Sequence, residues 1–291
     1  GFEQLEFRTD IPVPSLGSGE VLIKVAAAGV NNTDINTRIG WYSKRVTSGT
    51  TLSGAVEGID AADAKDAGWS GTPIVFPRIQ GADVCGRVVA VGPEVKSDRV
   101  GERVLIEPCL REPLGWRPYE YWYLGSECDG GFAQYLKVSA AHAYKIESPL
   151  SDVELASFPC SYSTAENMLT RIGLREGEKV LITGASGGVG SAAVQLAKRR
   201  KAHVVAIAGA GKADKVRKIG ADIVIPRGSS PENVLKDGSV DVVIDLVAGD
   251  QWPQLLNMLK RGGRYAVSGA IGGPIVKLDW VRLLWNDAVS L

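Results

Sequence analysis

Seven residues, "GASGGVG" (Gly184–Gly190), lie between the apolar "VLIT" and the alanine-rich "SAAVQLAKRR". A glycine turn leading from a strand into a helix can take a phosphate, because backbone N–H groups and the positive end of the helix dipole face the anion. Set against G-x-G-x-x-G, the three positions are Ala185, Gly187 and Gly190. The second glycine lets the backbone approach a pyrophosphate, and the third lets helix and sheet pack closely. The whole turn, including Ser186, Gly188 and Val189, is the expected cofactor cradle, read as binding a dinucleotide. An NAD site usually ends its second strand with Asp or Glu for the ribose hydroxyls. Here "HVVAIAG" ends in Ala208 and Gly209, with Lys212 close behind and Lys215 and Arg217 following. A missing acid beside cations suits a 2′-phosphate, hence NADP(H), with Gly209 and Lys212 in the site.

A second polar cluster, "GVNNTD" (Gly29–Asp34), follows the apolar "VLIKVAAA". Asn, Thr and Asp are turn and cap residues, and they are also hydrogen-bond donors and acceptors that an enzyme can use. Cys85, Cys109, Cys128 and Cys160 are far apart and form no C-x-x-C, so a zinc site built from close ligand pairs is disfavoured. His142 and His203 lie in no motif and are read as structural. No Ser-His-Asp or paired-carboxylate arrangement stands out.

The elements that must position these groups differ between the two halves. Residues 1–155 are β-rich, with short β-branched runs such as "EVLIKVAAAGV", "GADVCGRVVAVGPEV" and "GGFAQYLKVSA" punctuated by Gly, Pro and Asp. Within them, Ser43–Pro73 has few large apolar groups and reads as an irregular insertion, a mobile loop or lid with too little to bury. Cys109–Cys128 is irregular but rich in aromatics, as in a loop packed on its own domain or a partner. Residues 156–291 alternate continuous Val/Ile strands with helical segments, the pattern of a parallel sheet covered on both faces. The expected boundary lies in Ser148–Leu169, where a helix bridges the halves. Thirty-three basic and 33 acidic residues give zero formal charge, so no footprint for nucleic acid or an anionic membrane arises. No apolar run reaches the roughly 18 residues a membrane span needs, and few cysteines suit a reducing, cytoplasmic location. Both ends are abrupt, so the natural chain is expected to continue beyond them.

The segments "GEVLIKVAAAGVNNTD", "GADVCGRVVAVG", "VGERV", "GGFAQYLKV", "GASGGVGSAAVQLAK", "IGAD" and "GGRYAVSGAIGG", in this order, resemble the medium-chain dehydrogenase/reductase superfamily over essentially the whole chain. The resemblance implies an α/β architecture: a GroES-like β-rich catalytic domain, then a doubly wound Rossmann domain whose C-terminal part is missing. Zinc alcohol dehydrogenases of the superfamily read Gly-Val-Cys-x-Thr-Asp and Gly-His-Glu where this chain has "GVNNTD" and Gly81-Ala82-Asp83. Two of three zinc ligands thus become Asn31 and Ala82, only Cys160 matching, and no metal site is expected. "GVNNTDINTRIGWY" is similar instead to the zinc-free quinone oxidoreductase and zeta-crystallin branch, with an Asn at Asn31, an acid at Asp34, Arg38, and Gly-x-Tyr at Gly40–Tyr42.

That likeness implies NADPH-dependent hydride transfer to a quinone or α,β-unsaturated carbonyl. Asn31 and Tyr42 would donate to the acceptor oxygen, Thr33 would pass a proton or bind the ribose, and Asp34 would orient backbone or Arg38. It also places Thr164, Leu246, Val247, Ser268, Gly269 and Ala270 along the cofactor. Two alternatives stay open: an alcohol dehydrogenase acting on alcohol and ketone substrates, and an NADPH-binding protein with negligible turnover. The superfamily commonly dimerises through a sheet edge, so a homodimer or dimer of dimers is expected, with the strand near "RYAVSGA" as the candidate.

Overall fold

The computed structural model describes residues 2–277. They fall into two compact units, one formed by residues 2–46 and 51–160, the other by residues 47–50 and 161–277.

The first unit runs β1 (Glu20–Gly29), α1 (Asn32–Ile39), α2 (Leu52–Glu57), β2 (Asp83–Val91), β3 (Arg103–Ile106), β4 (Cys109–Leu110), β5 (Trp122–Tyr123), β6 (Tyr135–Ser139), β7 (Ala143–Lys145) and α3 (Asp152–Leu155). Five strands pair antiparallel in the order β6-β1-β2-β3-β7, and β4 pairs with β5. Alternation of period two puts Val21 and Ile23 of β1 wholly inside, where they pack with Val84, Val104, Leu136 and Val138. α1 starts where the apolar run of β1 stops. Asn31, in extended conformation, caps it, and Gly40 ends it in the left-handed region at φ 74°.

The Ser43–Pro73 segment buries few side chains: Ser43 and Val46 are inside and no residue of α2 is, while the Thr51 cap of α2 and Trp69, which stacks on Tyr123 with ring centroids 4.7 Å apart, tie the segment down. A single large aromatic supplies the apolar area that the Gly/Ala/Ser-rich composition lacks.

In the second unit, α4 (Pro159–Arg171, its first two residues in the first unit) precedes β8 (Lys179–Ile182), α5 (Gly188–Arg199), β9 (His203–Ala208), α6 (Ala213–Lys218), β10 (Ile223–Pro226), β11 (Val240–Asp245), α7 (Trp252–Met258) and β12 (Leu259–Val267). All strand pairs are parallel, in the order β10-β9-β8-β11-β12. Val180, Leu181 and Ile182 of β8 have no exposure, as a strand covered on both faces requires. Ala192, Ala193 and Ala197 of α5 are also fully buried, and their small side chains let the helix lie close to the sheet. From β8 the chain winds first to β9 and β10 on one side, then to β11 and β12 on the other. Such a reversal opens a crevice beyond the carboxyl ends of the strands, where doubly wound folds bind ligands.

Candidate functional site

The crevice beyond β8 is occupied by Gly184–Gly190. Gly190 packs so tightly that a Cβ there would lie 2.2 Å from the Gly184 carbonyl oxygen and 2.7 Å from Ala185 Cα. Gly187 is different. It is the N-cap of α5 without a side-chain cap bond, and a Cβ there would meet only the Gly184 oxygen, at 3.4 Å. Among the described residues no side chain caps the first turn of α5, which presents its N–H groups in a space kept open by glycine, the surroundings that suit an anion such as a pyrophosphate. Ala185 is buried and donates its N–H to the Ile207 carbonyl at 3.1 Å, tying the turn to β9; Ser186, Val189 and Thr164 are half-buried. Gly188 lies at the exposed start of α5.

At the end of β9, Ala208 is buried, and a side chain at Gly209 would meet nothing within 4 Å. The three cations named from sequence do not behave alike. Arg217 is drawn to Asp214 at 2.8 Å, whereas Lys212 is exposed and, among the described residues, makes no ion pair. Sequence reading missed a fourth cation. Arg227 donates its backbone N–H to the Ala208 carbonyl at 2.7 Å, so it follows β10 directly beside the end of β9. Its position could not be inferred before the β9–β10 pairing was known.

Leu246 and Val247 flank the same turn: a Cβ on Gly184 would meet Val247 Cγ2 at 3.4 Å and Leu246 Cβ at 3.5 Å. Ser268 donates its N–H to the Asp245 carbonyl at 3.1 Å, and a Cβ on Gly269 would run into the Leu246 oxygen at 2.2 Å. Ala270 accepts from Gly273 N–H. These residues gather at the carboxyl ends of β8, β11 and β12.

In the first unit the polar cluster is built from side chains. The Asn31 amide oxygen accepts the Thr33 N–H at 3.2 Å, and its Nδ2 donates to Asp83 Oδ2 at 3.4 Å. The amide is thereby oriented, and one of its two N–H bonds stays uncommitted among the described residues. Asp34 accepts the Asn31 N–H at 2.8 Å and the Ala82 N–H at 3.1 Å, joining the start of α1 to the entry of β2. Burial pushes its carboxyl above the ordinary range. The Thr33 and Tyr42 hydroxyls lie 2.9 Å apart, and either can donate. Burial raises the Tyr42 phenol to about 12, so it stays protonated and able to donate.

Asp83, 2% exposed, was seen in the sequence only as part of Gly81–Asp83. Its Oδ1 accepts the Cys160 N–H at 2.6 Å, across 77 residues. Burial drives this carboxyl up to about 6 against the pull of its two hydrogen bonds, with nearby Asp34 adding to the rise. Cys160 Sγ accepts from the Tyr123 hydroxyl at 3.3 Å, and the same tyrosine stacks on Trp69. Ala82 is fully buried, and its methyl side chain has no atom that could ligate a metal. Among the described residues, no three or more His, Cys, Asp or Glu side chains come together in a way that could hold a metal ion. His142 is fully buried between Glu107 and the Glu112 N–H, and His203 is exposed at the head of β9.

Known proteins share this organisation. Residues 188–290 match the family described as zinc-binding dehydrogenase, and residues 55–148 match the alcohol dehydrogenase GroES-like domain. Acryloyl-coenzyme A reductase of Sulfurisphaera tokodaii is 30% identical over 271 residues, covering 90% of this chain and 72% of its own. The human quinone oxidoreductase is 28% identical over 279 residues, covering 94% and 71%. The solved structure of a candidate alcohol dehydrogenase from Sinorhizobium meliloti superposes with a TM-score of 0.84 at 40% identity, covering 99% of this chain and 78% of that one. With a GroES-like unit, a parallel Rossmann sheet and relatives such as this reductase, this quinone oxidoreductase and this alcohol dehydrogenase structure, the chain belongs to the medium-chain dehydrogenase/reductase superfamily, whose members bind a nicotinamide cofactor.

Proposed function

We propose that this protein is a zinc-free, NADP(H)-dependent reductase of quinones or α,β-unsaturated carbonyls. The observation that carries the reading is the donor set around Asn31. Where metal-dependent members polarise an oxygen with zinc, this chain has an amide, a methyl group and one thiol, and zinc needs three protein donors with an open position. What the site offers instead is neutral donors, the Asn31 amide and the Thr33–Tyr42 hydroxyl pair.

Without a Lewis acid, hydride goes most readily to an acceptor that is already electron-poor. The negative charge then delocalises onto an oxygen that hydrogen-bond donors stabilise. A bound nicotinamide supplies the hydride. Asn31, held by Asp83 and its own capping bond, and Tyr42 donate to the developing oxyanion, and Thr33 shares the Tyr42 proton. The NADP(H) preference rests on the absent carboxylate after β9 and on Lys212. Two relatives, an acryloyl-coenzyme A reductase and a quinone oxidoreductase, carry names for reductions of this class. The same reading takes the protein as a cytosolic homodimer, with β12, an edge strand among the described residues, as the mating surface.

The deciding experiment follows NADPH oxidation with a panel of quinones and enones, alcohol oxidation in the reverse assay, and metal content of the purified protein. Reduction of quinones or enones by metal-free protein is expected. Stoichiometric zinc bound through Cys160, with alcohol oxidation, would overturn the reading. Dinucleotide binding with no acceptor reduced would assign a non-catalytic binding role instead.

A further inference from the structure

Asp245, the last residue of β11, has no exposure. Among the described residues no cation partners its carboxylate, which collects neutral donors from three elements. Oδ1 accepts from the Thr183 hydroxyl at the end of β8 (2.5 Å), from the Val247 and Ala248 N–H groups (3.0 and 3.1 Å), and from the Gln251 amide (3.4 Å). Oδ2 accepts from the Tyr265 hydroxyl of β12. Thr183 Oγ1 in turn accepts the Leu246 N–H at 2.8 Å. Three consecutive N–H groups, those of Leu246, Val247 and Ala248, are thus tied to one carboxylate directly or through one hydroxyl. They hold Ala248 at φ 55°, ψ −151°, a region an alanine does not take without such support.

This turn borders Gly184 on one side, and its Val247 carbonyl accepts the Gly272 N–H at 2.7 Å on the other. It therefore joins the phosphate turn to the 268–273 loop at the carboxyl edge of the sheet. We propose that Asp245 is a positioning residue of the dinucleotide site: it sets the conformation of Leu246–Ala248, and that turn sets how far the cofactor settles between the Gly184 turn and the loop after β12. The inference rests on the dinucleotide reading above.

Four variants test it: Asp245→Asn, which cannot accept from Tyr265 in the same orientation, Tyr265→Phe, Thr183→Val and Thr183→Ser. Each is titrated with NADPH and NADH at low temperature, following energy transfer from tryptophan to the reduced nicotinamide, and each melting curve is recorded separately. Trp252 packs edge-on against Tyr265 at 4.5 Å, so its unliganded emission also reports the state of the network. Asp245→Asn and Thr183→Val are expected to weaken both dinucleotides about tenfold and equally, the loss of roughly one charge-assisted hydrogen bond's worth of positioning. Thr183→Ser, which keeps the hydroxyl, should restore binding, whereas a role in folding alone would lower the melting temperature and leave the dissociation constants in place. Should Asp245→Asn fail to fold, Thr183→Val and Tyr265→Phe decide. Folded variants that bind within twofold of the wild type overturn the inference and leave the cofactor reading standing. A wild type that binds neither dinucleotide sinks both.

Discussion

The two polar regions of this molecule are built by opposite means. The Gly184–Gly190 turn is seven consecutive residues that present backbone N–H groups and leave side chains out. The Asn31 cluster is drawn from the start of α1, the loop at Tyr42, the entry of β2, β5 and the start of α4, and it presents side chains held by buried carboxylates. The first is intolerant of added atoms. The second is intolerant of lost partners, because a donor or acceptor left unsatisfied inside costs about 1–3 kcal/mol.

The sharpest test of that contrast adds atoms to the cradle. Gly190→Val puts a branched side chain where even a Cβ would sit 2.2 Å from an oxygen, so a stability loss of about 3 kcal/mol or more and loss of dinucleotide binding are expected by thermal melting and titration. Gly187→Ala meets nothing so close; it should melt like the wild type and still bind the dinucleotide more weakly. Equal effects of the two substitutions would break the distinction between packing and ligand approach.

Next in size is the pH dependence of Asp83. Its carboxyl is raised from 3.8 to about 6 by burial. Its stabilisation is fully present below the unfolded value near 3.8 and is lost as pH rises through about 6. Asp83→Asn cannot ionise, so between about pH 4 and pH 7.5 the stability difference should move in the variant's favour by about 2–3 kcal/mol, read from urea unfolding. A difference that does not change with pH would show that Asp83 is well solvated or compensated.

Asn31→Ala comes third. Loss of the cap should cost about 1 kcal/mol, and reduction of an enone should fall about tenfold while the NADPH dissociation constant stays put. If instead binding weakens and turnover of bound complex is unchanged, Asn31 belongs to the cofactor rather than to the acceptor. The smallest effect expected is that of Lys212→Ala, an exposed side chain: about a tenfold loss for NADPH with NADH nearly unaltered, by the same titration. Equal affinity of the wild type for both dinucleotides would remove the basis of the NADP(H) assignment. A residual preference in Lys212→Ala that vanishes on adding Arg227→Ala would divide the 2′-phosphate between the two cations.

Much of the architecture was legible because it rests on local signals. Continuous Val/Ile runs announced strands buried on both faces, and short β-branched runs punctuated by Gly, Pro and Asp announced the strands of the first unit. The glycine turn needed only its own seven residues and their neighbours. In the Ser43–Pro73 insertion composition averages over a stretch and does not reveal that one residue, Trp69, stacks on Tyr123. Asp245 was invisible for another reason. An Asp ending an apolar strand looks like a turn residue, and nothing in "DVVIDLVAG" reveals that Thr183 and Tyr265 will meet it.

By itself, then, the sequence determined the two-part α/β organisation and the glycine turn that leads from a buried strand into an alanine-rich helix. These depend on residue type, period and spacing over a few turns of chain, where backbone geometry is fixed by local sterics. The tertiary structure alone decided which carboxylates are buried and whom they hold. Asp83 meets Cys160 across 77 residues, Asp34 reaches Ala82, and Asp245 gathers donors from β8, the turn after β11 and β12. Burial and hydrogen-bond partnership set the orientation of those groups, and both arise only when distant segments close over them and exclude water.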